Sequence, residues 1–155
     1  MKTLTQWLDE YAVSHQNATN KMIHWICVPT IFFTVVGLLY SIPVGEDNTI
    51  TEGLIAKIIL VAVIVYYFML SKALSVGMLI FGVICLYLCH FIKIDLGYNL
   101  AITSLVLFVI AWIFQFWGHN IEGKKPSFLK DLQFLMIGPA WVMTFIYKKI
   151  GINLS

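Results

Sequence analysis

The sequence predicts an all-α integral membrane protein. The expected architecture is a helical bundle of about four transmembrane helices, with an amino-terminal interfacial helix and a carboxy-terminal helix broken at Gly138-Pro139. Three observations carry this. Charged residues make up 12% of the chain and hydrophobic ones 60%, against about 25% charged in a typical soluble domain. Mean hydropathy is +0.87. The apolar residues gather into runs close to the roughly 20 residues that a bilayer core requires. A single membrane domain over 1–155 is the expected organisation at this length.

Residues 3–15 read as a short amphipathic helix. Leu4, Trp7, Leu8, Tyr11 and Ala12 recur at spacings of three and four, while Asp9 and Glu10 face away. Thr3 or Thr5 can cap it, and it is too short and polar to span, so it is expected at the interface. The first 21 residues lack the apolar core and cleavage site of a signal peptide and are expected in the mature protein. Asn17, Thr19 and Asn20 form a break, with Asn20 or Thr19 expected to cap the next helix.

Met22–Ile42 is the first expected span, with Pro29 inside it. A polar loop over 41–53 carries Pro43, Gly45, Glu46, Asp47 and Glu52. Leu54–Leu70 and Ala73–Ile92 follow as second and third spans. One helix over 54–92 would be about 58 Å long at 1.5 Å per residue, too long for one crossing, so a tight hairpin is expected at Ser71–Ser75. Tyr98–Trp117 is the fourth span, and Gly118–Asp131 a polar loop. Leu132–Tyr147 falls between a short fifth span and a re-entrant or interfacial segment.

Net charge is +2 and arginine is absent, so no basic patch suggests nucleic acid. Cys27, Cys85 and Cys89 lie in apolar runs without a C-x-x-C pair and read as buried free thiols. Lys2, Lys21, Lys72, Lys124, Lys125 and Lys130 fall on one side of the four-span arrangement, which the positive-inside rule makes cytoplasmic. His15, His24 and His119 reach that side, and His90 the other. No P-loop, Rossmann or G-x-S-x-G signature is present, and no span carries a central acid of the kind a proton carrier uses.

Two clusters hold the chemistry. His15 and His24 would lie about 13.5 Å apart along one helix, too far to share an ion, so they cooperate only if the asparagine-rich break turns. The second cluster is Gln115-Phe-Trp-Gly-His119-Asn-Ile-Glu122-Gly-Lys124-Lys125-Pro126. His119 and Glu122, three apart, share a helix face. Three imidazoles and a carboxylate suit Fe(II), Zn(II) or Mn(II). Lys124 and Lys125 serve either as general positive charge or as partners of a substrate carboxylate. The plainer alternative is that the histidines satisfy neighbouring carbonyls at the interface. Trp7, Tyr11, Trp25, Trp112 and Trp117 read as interfacial belt aromatics. Two other functional classes fit the same residues: a b-type haem protein with two axial histidines, and a lipid-binding membrane protein without oxygenase activity.

The head Tyr11-x3-His15-x4-Asn20-x3-His24-x4-Pro29, with Gln115-x2-Gly118-His119, Glu122, Pro126 and Gly138-Pro139 downstream, resembles the small membrane 2-hydroxy fatty acid dioxygenase family, as a bacterial member. The resemblance covers nearly the whole chain. It implies Fe(II)-dependent α-oxidation, in which a long-chain 2-hydroxy fatty acid and O2 give a fatty acid one carbon shorter. Carried over, His15, His24 and His119 become the iron ligands. Glu122 joins them as a catalytic carboxylate, ligating or orienting a histidine. Asn20, Gln115, Lys124 and Lys125 become candidate substrate contacts. The expected location is the bacterial cytoplasmic membrane, with the metal site and both termini on the cytoplasmic side.

Overall fold

The structure, a computed structural model, describes residues 2–45, 50–123 and 128–152, with side chains from residue 134 onward in the last stretch. The described residues form helices and no strands. The helices are α1 (Leu4–Ala12), α2 (Ala18–Tyr40), α3 (Leu54–Leu70), α4 (Lys72–His90), α5 (Leu100–Glu122) and α6 (Phe128–Ile150). A π-helical turn, Phe91–Asp95, extends α4. Among the described residues three helical stretches are long and apolar enough to cross a membrane: Ala18–Tyr40, Lys72–Asp95 and Leu100–Glu122. Leu54–Leu70 is equally apolar but shorter, at 17 residues. Many of their large hydrophobic side chains point outward, among them Ile58, Val61, Val83, Ile102 and Ile113, as a lipid-facing surface requires.

α1 starts with a capping box in which Thr3 and Gln6 satisfy each other's backbone N–H groups. Its expected stripe is present, with Leu4 and Tyr11 buried and Asp9 exposed. α2 begins earlier than the hydropathy pattern indicates. Its cap is Asn17, whose side-chain oxygen accepts from the N–H groups of Thr19 and Asn20, rather than Thr19 or Asn20 itself. The polar residues 18–21 therefore form its first turn, because cap chemistry sets a helix start whether or not apolar residues follow.

α2 and α5 run antiparallel and make the principal seam of the bundle. Two glycines set their separation. A Cβ on Gly118 would lie 2.5 Å from Asn20 Oδ1, and one on Gly37, at the opposite end, would overlap Ser104 Oγ. Small residues at such crossings let helices approach where lipid supplies no hydrophobic drive. Ser71, in extended conformation, ends α3 and caps α4, which gives the expected tight hairpin. Leu60 and Gly82, each eleven residues from Ser71, meet across it. The three cysteines are buried and free.

α6 runs through Gly138-Pro139 as one unbroken helix, not the broken one expected. Its neighbours explain this. Tyr67 donates to the Met136 carbonyl, Tyr147 donates to the Ala73 carbonyl, and the Gly138 position lies against Val28 and the Tyr11 hydroxyl. These contacts hold the segment on both sides of the proline, so tertiary packing overrides its local effect. With the Trp25–Phe145 ring contact, they all fall in the half of the bundle that contains the α1–α2 turn.

Candidate metal centre

The turn between α1 and α2 brings the first two histidines together. His15 lies just past the end of α1 and His24 in the second turn of α2. Their ring centroids are 4.3 Å apart, and both side chains are buried, at 2% and 1% exposure. His119, in the last turn of α5, joins them with centroid distances of 5.3 Å to His15 and 4.7 Å to His24. One ligand atom from each of the three lies within 4.8 Å of the others. This is the only such group of three among the described residues, and it can hold a metal ion.

The hydrogen bonds on the outer ring nitrogens prepare it. His15 Nδ1 bonds the Tyr11 carbonyl at 2.7 Å, and His24 Nδ1 bonds the Asn20 carbonyl at 2.9 Å. A carbonyl only accepts, so each Nδ1 carries the proton and each Nε2 offers a lone pair. Burial, the dominant cause, lowers the His15 pKa to about 4 and keeps that ring neutral at pH 7. His15 Nε2 and His119 Nδ1 are buried without partners. His24 Nε2 lies 3.2 Å from His119 Nε2. Two imidazole nitrogens sharing one ion at about 2.0–2.1 Å sit roughly 2.8–3.4 Å apart at angles between octahedral and tetrahedral. The residues present therefore fit a metal: orphaned lone pairs, neutral rings and the right spacing. His24 Nε2 offers a lone pair, so His119 Nε2–H is the donor in that contact.

Aromatic rings hold the imidazoles in place. Tyr11 stacks on His15 at 4.0 Å between centroids, and Trp141 of α6 lies 5.4 Å from the same ring. The histidines open onto a cavity of about 30 Å³, lined also by Ser14, Val28, Ile31, Trp112, Gln115, Phe134 and Leu135. That is room for an ion and a few water-sized groups.

The other expected site residues are distributed differently. Gln115 is buried and lines the cavity. Glu122 turns to the backbone. Its oxygens accept from Gln16 N at 2.8 Å, Asn17 N at 2.9 Å and Asn20 Nδ2 at 3.0 Å. It thus fastens the end of α5 to the turn that positions His15 and His24, and it places a negative charge at the start of α2, where the helix dipole favours one. Asn20 lies in the α2–α5 seam, donating to Ser14 O and Glu122. Lys124 and Lys125, like Glu46 and Asp47, lie outside the described residues. His90 is far from the cluster, 3.3 Å from Glu52 at the other end of the bundle. Tyr11 and Trp112, assigned by sequence to the interfacial belt, belong to the site. The signal for them was spacing, since Tyr11 is four residues before His15 and Trp112 is seven before His119 on one face of α5.

The fold and site together define a helical membrane protein with a buried three-histidine group able to bind a metal. The chain belongs to the Mpo1-like family, described as 2-hydroxy-palmitic acid dioxygenase Mpo1-like, whose model matches residues 1–150. It is similar to the 2-hydroxy-palmitic acid dioxygenase MPO1 of Saccharomyces cerevisiae, with 30% identity over 150 residues, covering 96% of this chain and 82% of the yeast protein. No solved structure gives a significant match.

Proposed function

We propose that this protein is an Fe(II)-dependent dioxygenase that α-oxidises long-chain 2-hydroxy fatty acids. The overall change balances without a further reductant: R–CH(OH)–COOH and O2 give R–COOH, CO2 and water. The bond between C1 and C2 breaks, and the four electrons lost by these carbons reduce O2. The observation that carries the reading is the group of three imidazoles whose ligand atoms lie within 4.8 Å of one another in a chain of this family.

His15, His24 and His119 are the residues that would hold the iron. Bound iron would supply O2 activation, which side chains alone do not provide. The protein's own contribution is positioning. The Tyr11 and Asn20 carbonyls fix the tautomers of His15 and His24. Glu122 acts through the α1–α2 turn, holding the two histidines in register. Val28, Ile31, Phe134 and Leu135 keep the cavity wall apolar. The lysine distribution supports a cytoplasmic orientation of the site and both termini in a bacterial membrane.

The haem reading has less support, because among the described residues the three rings pack edge to face against one another around a cavity of about 30 Å³. Anaerobic purification, metal analysis and product detection test the proposal. Stoichiometric iron and an O2-dependent acid one carbon shorter are expected. A protein without transition metal, or one that turns over equally well after loss of both His24 and His119, would falsify it.

A further inference from the structure

The cavity carries two polar groups that the metal does not explain. Gln115 is 8% exposed and lines the cavity with its side-chain amide group. Trp112 lines the same cavity, and its Nε1 is buried without a partner. A buried indole N–H left unbonded costs roughly 1–3 kcal/mol, which a ligand that accepts from it offsets. Both lie on α5, at positions 112 and 115, and His119 follows on the same face one and two turns further on. One helix therefore presents an indole donor, an amide and a ligating imidazole in a row.

We infer that Trp112 and Gln115 hold the head group of the substrate, Trp112 donating to the carboxylate and Gln115 reading the 2-hydroxyl. The division follows from what each group can do. The indole N–H only donates, which suits a carboxylate, an acceptor-only group. The glutamine amide both donates and accepts. Its oxygen accepts a hydrogen bond from the hydroxyl, which a lysine ammonium cannot do. Gln115 is thereby the group that separates a 2-hydroxy acid from a plain fatty acid of the same length. A buried site built to hydrogen-bond a hydroxyl strongly rejects the analogue lacking it. The acyl chain contributes equally to both ligands and so cannot discriminate.

This inference rests on the proposed function, and its test is chosen to separate the two. Equilibrium binding of 2-hydroxyhexadecanoic acid and hexadecanoic acid is measured anaerobically on the Fe(II)-loaded protein in phosphatidylcholine nanodiscs, so no turnover is needed. Gln115→Met, which keeps the volume and removes the amide, is expected to weaken the 2-hydroxy acid about 10-fold and to leave the plain acid within about two-fold. Trp112→Phe is expected to weaken both acids to a similar degree. Iron content and thermal stability near those of the parent protein identify variants that are folded, and Gln115→Leu serves as a second apolar replacement. Equal weakening of both acids by the Gln115 variants, or unchanged binding, overturns the assignment of Gln115. A Trp112→Phe effect confined to the 2-hydroxy acid overturns the assignment of Trp112. If the parent protein turns over 2-hydroxy acids while these variants bind them normally, only this inference fails. If the parent protein does neither, the proposed function fails first.

Discussion

The two ends of the bundle use similar residues to different effect. At one end His90 and Glu52 meet, 3.3 Å apart, and the histidine side chain is 46% exposed. At the other end three histidines and Glu122 gather, but the acid takes its hydrogen bonds from Gln16, Asn17 and Asn20 rather than from an imidazole. At the first end the histidine's charge-bearing partner is its neighbour, and solvent reaches it. At the second the acid braces the frame, carbonyls take the outer nitrogens of His15 and His24, and His15 Nε2 stays open beside the His24–His119 pair. What makes an imidazole available to a metal is therefore how its surroundings spend their hydrogen bonds, and residue type alone does not decide it.

The largest expected effect comes from removing ligands at the open end. His24→Ala with His119→Ala should cut bound iron to below about a tenth of the parent protein's and turnover by more than about 100-fold, as read by elemental analysis and product formation. Retained iron would show that the two ends do not differ as described.

Glu122 sharpens the contrast. Glu122→Ala removes three hydrogen bonds from a carboxylate and leaves two backbone N–H groups at the α1–α2 turn unserved. A loss of about 10–100-fold in iron affinity is expected, with a smaller loss for Glu122→Gln, which keeps one acceptor oxygen. A ligating carboxylate would instead give nearly equal losses for both variants, so the ratio of the two measured affinities discriminates.

Gly118→Ala tests whether the seam sets the site. Its Cβ would meet Asn20 Oδ1 at 2.5 Å, and the fully buried Asn20 amide would have to move. A destabilisation of about 1–3 kcal/mol is expected, read as a lower unfolding temperature in detergent, together with weakened iron binding because Asn20 also bonds Glu122. The smallest effect is expected at the other end. His90→Ala breaks an exposed pair worth about 0–1 kcal/mol and should leave iron content and turnover within about two-fold. A large loss of activity there would break the comparison.

Much of this protein is set by sequence. The apolar run lengths and the scarcity of charge dictate membrane-crossing helices, because hydrocarbon tolerates only segments that satisfy their own backbone. The short polar interruption at Ser71-Lys72 marks the hairpin, since a 39-residue apolar helix would overrun the bilayer. The histidine spacing shows that His15 and His24 require a turn to meet. Other features rest on contacts between residues far apart in the chain, which periodicity does not encode. The bond from Glu122 to residues 16, 17 and 20 joins positions more than 100 apart. The course of α6 through Pro139 depends on Tyr67 and Tyr11, which outweigh a local breaking tendency. The placement of Trp112 inside the site, rather than in the lipid belt, depends on which face α5 turns to α2. A belt aromatic and a site aromatic have the same composition and differ only in what packs against them. Residue type and spacing thus determined which groups can do chemistry, while packing across the α2–α5 seam and under α6 decided which of them are left with open nitrogens.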